Sequence, residues 1–556
     1  MEETQMKKIL SVFMAVTMLL GVFTGCSSSK NGSETTETSG SPVTEGEAPE
    51  ASYTEGWLST GYEKVRSDHK TNGEGEFVLY MAKNEKESCT YSIRSEKRLL
   101  NLNLECVERA DGSPDFELLK EFTVTVAGKD YPDPLVALNK NFSVSANSTQ
   151  SILVRFNTTS DTVAGAYDYT FALKNKNGQV INTFKVTVNV WDIEYPEVLT
   201  SYAFMDIDCS DLALLHKVEQ GTEEFEELYL NYYELLLDYG TSAYELPYDI
   251  LDPRADAYMS DPRVKAFLVA DAAAMSEITD EKLAAIYAKL KTNPEWLAKA
   301  VIYPFDEPTT DEHMQTIVER CERLDRICPE ISRVVPFYKN PDYSADEDLV
   351  EMLSRYTDVY CPKSYCFRDG NIYTAAQKEK YGSFYDRMQA FESEGYRVWW
   401  YVCWEPGYPY CNMYVNEYGI NHRVLFWQQS LYGVSAFLFW EANHWGQIKK
   451  GDPWIDMATV PSLSPDVYGD GCVVYNGSKI GLNTGVPSLR LDIIRDGLED
   501  YELLEMARRV LGDEYVTKKI KVVSLDLVNH TGSAVTFEKV RTEIGNDLAA
   551  ALKENK

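Results

Sequence analysis

The chain has 556 residues and a formal net charge of −33. That length exceeds what one hydrophobic core supports and predicts two or three domains. So acidic a protein is repelled by phosphate backbones and anionic lipid surfaces, which excludes nucleic acid as a partner.

At the start, Lys7 and Lys8 precede an apolar run over residues 9–22. The run is shorter than the ~20 residues a membrane span needs, and it has the make-up of a signal peptide. Phe23-Thr24-Gly25-Cys26 places small residues before a lone cysteine, the pattern of a lipoprotein cleavage site. Residues 1–25 are therefore expected to be a signal peptide, with Cys26 the lipidation site. Residues 26–55 are rich in Ser, Thr, Glu, Gly and Pro, the composition of a disordered tether. Together these predict a protein on the extracytoplasmic face of the cell membrane, touching the bilayer through its lipid anchor only. Besides Cys26, ten of the eleven cysteines are scattered without zinc-ligand spacing. Buried thiols are expected, and neither a metal nor a cofactor is implied.

Residues 56–196 carry short β-rich segments at 77–81, 89–93, 100–106, 122–126, 151–156, 166–174 and 180–191. Asn177-Gly178, between the last two, is a two-residue hairpin signal. Seven such segments without helices predict a β-sandwich. No catalytic constellation assembles there, so a supporting or binding role is expected.

From residue 197 the rhythm becomes strand–helix alternation. Eight strands are expected at 201–205, 242–245, 264–269, 300–305, 332–337, 358–362, 397–403 and 435–440. Helices fit between them, among them 223–239, 280–290, 310–327, 346–356, 381–394 and 422–431. In 310–327, Met314, Ile317, Val318, Cys321 and Leu324 fall on one helical face. This repetition predicts a (β/α)8 barrel over residues 197–511, whose chemistry sits at the C-terminal ends of the strands.

Strand four ends abruptly. Val301-Ile302-Tyr303-Pro304-Phe305 runs into Asp306-Glu307, and Pro308 cannot continue a ladder. Thr309-Thr310-Asp311-Glu312 then signals a helix start. The pair is either a catalytic acid constellation at the barrel mouth or a surface turn that caps the helix. By the same count Glu405 follows strand seven and Glu441 follows strand eight.

After Pro487, Ser488 is an N-cap and Leu491, Ile494, Leu498 and Tyr501 recur at helical spacing. The segment is expected to be the barrel's closing helix, with its charges structural. Residues 512–556 read as a short α/β extension, strand-like over 518–528 and helical over 537–552.

The segment Pro487-Ser488-Leu489-Arg490-Leu491-Asp492 through Arg495-Asp496-Gly497-Leu498-Glu499-Asp500-Tyr501-Glu502 resembles the signature of the domain-of-unknown-function family 4091. That domain accompanies glycoside hydrolase family 123. Trp399-Trp400-Tyr401, Arg423 with Trp427, Tyr432-Gly433, and Phe437-Leu438-Phe439-Trp440 followed by Asn443 and Trp445 also resemble the group. So do Lys83-Asn84-Glu85-Lys86-Glu87-Ser88 and Tyr131-Pro132-Asp133-Pro134-Leu135 upstream. The resemblance implies a sandwich followed by a (β/α)8 barrel and a retaining exo-β-N-acetylgalactosaminidase. It also implies substrate-assisted chemistry by an adjacent Asp-Glu pair, which here is Asp306-Glu307.

In such chemistry the sugar's 2-acetamido oxygen attacks the anomeric carbon, so the protein supplies an acid and an orienting anion. Glu307 is expected to be the general acid and then the base, and Asp306 the ionised partner of the oxazolinium-like intermediate. Tyr401 is the candidate to polarise the acetamide, and Trp440 the candidate floor of the subsite, with Asn443 and Trp445 beside it. Tyr338 and Tyr365, after strands five and six, complete the expected contacts. The implied partner is a glycan ending in β-linked N-acetylhexosamine. Two alternatives stand beside this: double displacement using Glu307 and Glu405, and a lipoprotein that binds glycans without cleaving them.

Overall fold

The computed structural model describes residues 54–70, 75–339, 349–368, 372–445, 453–455, 457 and 467–554. The expected signal peptide, Cys26 and nearly all of the expected tether lie outside the described residues. No helix among the described residues is long and apolar enough to cross a membrane.

The N-terminal half-shell is a sandwich of ten strands, β1 (Thr54–Thr60), β2 (Glu76–Lys83), β3 (Lys86–Ser95), β4 (Leu99–Arg109), β5 (Asp115–Val126), β6 (Lys129–Ala137), β7 (Phe142–Val144), β8 (Ser148–Asn157), β9 (Gly165–Lys174) and β10 (Val180–Glu194). They form two five-stranded sheets, ordered β1-β3-β8-β5-β6 and β2-β10-β9-β4-β7. Period-two alternation buries Phe184, Val186, Val188 and Val190 of β10 between the sheets. Tyr91 stacks on Phe184 there with ring centroids 4.2 Å apart. The hairpin at Asn177-Gly178 forms as its sequence predicts, with Gly178 at φ 77°, a conformation that glycine adopts without strain.

Eight parallel strands follow: β11 (Tyr202–Met205), β12 (Thr241–Ala243), β13 (Phe267–Ala270), β14 (Ala300–Ile302), β15 (Ser332–Phe337), β16 (Val359–Pro362), β17 (Arg397–Val402) and β18 (Ala436–Phe439). Their order is β12-β11-β18-β17-β16-β15-β14-β13. The one junction without a ladder, between β12 and β13, is bridged where the Leu268 N–H donates to the Tyr244 carbonyl at 2.7 Å. Inward residues form their own core of Phe204, Tyr244, Leu268, Val301, Tyr303, Trp399, Tyr401 and Leu438. Alternate residues such as Val398, Trp400 and Val402 face the helices instead. The period of two therefore decides that Tyr401 enters the barrel and that Trp400 does not.

The signature helix spans Leu489–Leu511, with the Ser488 hydroxyl accepting from the Leu491 N–H as its cap. It crosses the Gly419–Leu431 helix at Gly497, where any Cβ would collide with the Phe426 ring. Its charges join the domains, as expected of structural residues. Arg423 donates to Glu87 of β3 at 2.6 Å and to Asp500 at 2.7 Å. Arg155 of β8 pairs with Asp492, and Arg490 with Asp133 of β6 at 2.8 Å. Each guanidinium is buried and answered by carboxylates, the condition under which such charges are tolerated inside a protein.

The extension departs from expectation over 518–528. Asp513–Val523 is a helix, because Val516, Ile520 and Val523 recur at helical spacing and pack inward while Lys518 and Lys521 stay at the surface. A second helix, Ala534–Glu554, lies against the sandwich. Arg541 pairs there with Glu85 and with Asp500 at 2.7 Å, and the Trp191 indole N–H donates to Asn546 at 2.9 Å.

Candidate active site

The chain leaves β14 through Tyr303 and Pro304 and turns at Asp306-Glu307. Glu307 has φ 46°, the left-handed region, and its N–H donates to the Pro336 carbonyl near the end of β15 at 3.0 Å. A non-glycine residue held there stores backbone strain of the kind found at functional sites. Thr310 then caps the Asp311–Ile327 helix by accepting from the His313 N–H. Of the two readings that the sequence left open, helix capping falls to Thr310, while the acidic pair lines the cavity.

Asp306 and Glu307 open into a cavity of about 940 Å³ at the C-terminal ends of the strands, a size suited to a sugar-sized ligand. Burial pushes the Asp306 carboxyl up to about 6, helped by neighbouring Glu307 and opposed by Lys363. Glu307 Oε1 accepts from the Tyr401 hydroxyl and lies 3.4 Å from Lys363 Nζ. The Lys363 side chain is almost wholly buried and also lies 3.9 Å from Glu405. Its ammonium sits among the rings of Tyr338, Tyr401, Trp404 and Tyr365, 4.7, 5.3, 5.5 and 5.9 Å from their centroids. Burial works against that charge, yet Cys403, Glu307 and Glu405 hold its pKa above the ordinary lysine value.

The remaining residues singled out from sequence divide into three groups. Tyr401 and Trp440 line the cavity. The Trp440 indole N–H donates to Asp470 at 2.9 Å, and its ring packs on His444 with centroids 4.7 Å apart. Tyr338 and Tyr365 sit behind the wall around Lys363, the Tyr365 hydroxyl donating to the Tyr338 carbonyl at 3.1 Å. Asn443 and Trp445 are in the packed interior instead of on the cavity wall. Asn443 accepts from the Asp208 N–H at 2.9 Å, and the Trp445 indole donates to the Val474 carbonyl at 2.9 Å. Glu405 is also absent from the cavity lining and 44% exposed.

Several cavity residues escaped the sequence reading. Asp206, Asp208, Glu245, Asp271 and Asp470 line it beside Trp404, Glu441 and His444. The rule that exposed Asp306 would have found Asp206, which directly follows β11, and it did mark Glu441 after β18 without giving it a role. Burial, then Glu441 and Glu245, push Asp206 up to about 7. Burial alone accounts for most of the rise of Glu441 and of Asp470, each to about 7. His444 stands 3.0 Å from Glu441, which more than offsets its desolvation and raises its pKa. Asp208, Glu441 and His444 present ligand atoms within 4.8 Å of one another, a spacing that could hold a cation. Each already has an internal partner, since Asp208 caps the Cys209–His216 helix and Glu441 pairs with His444.

Residues 242–507 match the family model described as the glycoside hydrolase 123 catalytic domain. Over those residues the chain is similar to the family 123 catalytic domain. A family 123 glycoside hydrolase from Clostridium perfringens, solved in work on glycolipid glycan hydrolysis, has the same fold. It superposes with a TM-score of 0.63 at 10% identity, covering 90% of this chain and 98% of that one. A Bacteroides uniformis β-glucuronidase 2 aligns at 9% identity over 76% of this chain and 48% of its own, with a TM-score of only 0.26. No curated protein matches in sequence. The family 123 match begins at β12, so it includes the acidic pair and stops inside the Leu489–Leu511 helix.

Proposed function

We propose that this chain is a family 123 glycosidase, a retaining exo-β-N-acetylhexosaminidase of the galactosaminidase type, assisted by the substrate's own 2-acetamido group. The observation that carries the reading is the adjacent pair itself, with Asp306 lining the cavity and Glu307 fixed by Tyr401. Glu307 gives its proton to the glycosidic oxygen as the C–O bond breaks, while the acetamide oxygen forms the new bond to the anomeric carbon. Glu307, now a carboxylate, takes a proton from the water that opens the oxazolinium-like ring. Asp306 accepts from the acetamide N–H and balances the positive charge of the intermediate. Tyr401, expected to polarise the acetamide, donates to Glu307 Oε1, which leaves Oε2 for the leaving oxygen. Trp440 offers a ring face to the sugar.

The double-displacement alternative is less well supported, because Glu405 does not line the cavity. Aryl β-glycosides with and without the 2-acetamido group separate the two: equal turnover of both would sink substrate assistance. A glycan-binding role without cleavage predicts calorimetric binding and no released sugar from any of them. Glycolipid glycans ending in N-acetylhexosamine are natural substrates to try first. The anchoring reading is equally testable, since fatty-acid labelling should be lost in Cys26→Ser.

A further inference from the structure

Eight carboxyl side chains line the cavity, and among the described residues no lysine or arginine does. Asp206 and Asp208 follow β11, Glu245 follows β12 and Glu441 follows β18, the strand opposite β14, after which Asp306 and Glu307 lie. The nearby cations are already engaged: Lys363 lies behind Glu307 and Glu405, and His444 faces Glu441. One further acceptor is unused, because Asp470 Oδ1 is buried with no hydrogen-bond partner among the described residues.

We propose that this acidic wall makes the cavity charge-selective: it admits uncharged terminal sugars and excludes those bearing sulfate or carboxylate. The inference rests on the hydrolase reading above and names the substrate class of the same site. Carboxylates only accept hydrogen bonds, and a neutral sugar offers hydroxyl donors on every face. A sulfate ester offers acceptors alone and adds a negative charge to a site already crowded with them. Like charges juxtaposed at a poorly solvated surface reject the wrong ligand by several kcal/mol's worth of repulsion, on the order of 100-fold or more in affinity. The raised pKa values agree in direction: after burial, Glu441 and Glu245 raise Asp206, and Asp208 and Asp211 raise Glu441.

The test compares kcat/KM of the full chain on an aryl N-acetylhexosaminide and on its 6-O-sulfated form. It is run at about pH 8, where the wall is charged, and in about 1 M salt, where the Debye length falls to about 3 Å. Screening at that salt removes the general field of a −33 protein and leaves contact repulsion in the cavity. The sulfated substrate is expected to be about 100-fold poorer. In Asp206→Asn and in Glu441→Gln, assayed separately so that a folding defect in one leaves the other informative, the ratio should narrow by about tenfold. Calorimetry with the free uncharged and sulfated sugars repeats the comparison without turnover, so absent hydrolysis would count against the hydrolase reading alone. Sulfated sugar bound or cleaved within about threefold of the uncharged form, binding of neither, or a ratio unmoved in both variants would overturn the proposal.

Discussion

At the junction of sandwich and barrel, Asp500 is buried yet held below the usual carboxylate range, because Arg423 and Arg541 outweigh its desolvation. At the barrel mouth, Asp206 is also largely buried, but its neighbours are Glu441 and Glu245, and it rises to about 7. Burial is common to both, and the sign of the neighbouring charge separates them. The junction is not uniformly settled: Glu85, which shares Arg541 with Glu87 and Asp500, is pushed up to about 7 by burial. Even so, each of its acids lies near a guanidinium, whereas the wall after β11, β12 and β18 is lined by none. A buried acid answered by guanidinium groups is mortar; the acids lining the cavity have only His444, beside Glu441, as a cation among them.

The sharpest way to break this contrast is Glu307→Gln, expected to cost about 10³-fold in kcat on substrates with poor leaving groups and much less on activated aryl glycosides. Full activity on a poor leaving group would end the assignment of Glu307 as acid. At the junction, Asp500→Ala leaves Arg423 and Arg541 short of a partner and should destabilise by about 3–5 kcal/mol, read by denaturant unfolding. At the mouth the opposite sign is expected. The folded-state pKa of Asp206 exceeds its unfolded value, so the folded chain binds more protons and stability falls as pH rises from about 4 to 7. Asp206→Asn should therefore stabilise by about 1–3 kcal/mol at pH 8 and by little at pH 4, whatever it does to activity. A loss of stability at pH 8 would show that the wall is mortar too. The smallest effect is the acidic limb of kcat/KM. Asp306 must be ionised to steady the intermediate, so activity should fall about tenfold per pH unit below about 6. Asp306→Asn should remove that limb.

Much of this fold could be read from the residues in order. All eight barrel strands lie where alternation and breakers put them, and Ser488 caps the helix its segment predicted. The acidic pair was visible because an apolar run of strand length ends in two acids before Pro308, although the strand itself stops at Ile302. What was illegible depends on distant chain. Asn443 and Trp445 follow Trp440 closely enough to suggest one site, but their partners are Asp208 and Val474. Lys363 showed only as one lysine past a strand, since three of the four rings that house it come from two other places along the chain. The 518–528 stretch misled through its valines: β-branched residues favour strands, yet packing of Val516, Ile520 and Val523 on one face overrides that weak preference.

The Ala534–Glu554 helix carries a consequence for how the molecule is made. Arg541 answers Glu85 and Glu87 near the beginning of the sandwich, and Phe537 packs on Tyr62 with ring centroids 5.8 Å apart. Synthesis runs from the N-terminus, so the sandwich emerges hundreds of residues before the arginine that neutralises its acids. Even once Arg423 has emerged to meet Glu87, Glu85 still lacks the guanidinium it pairs with. The Ala534–Glu554 helix thus ties residues far along the chain back onto the sandwich.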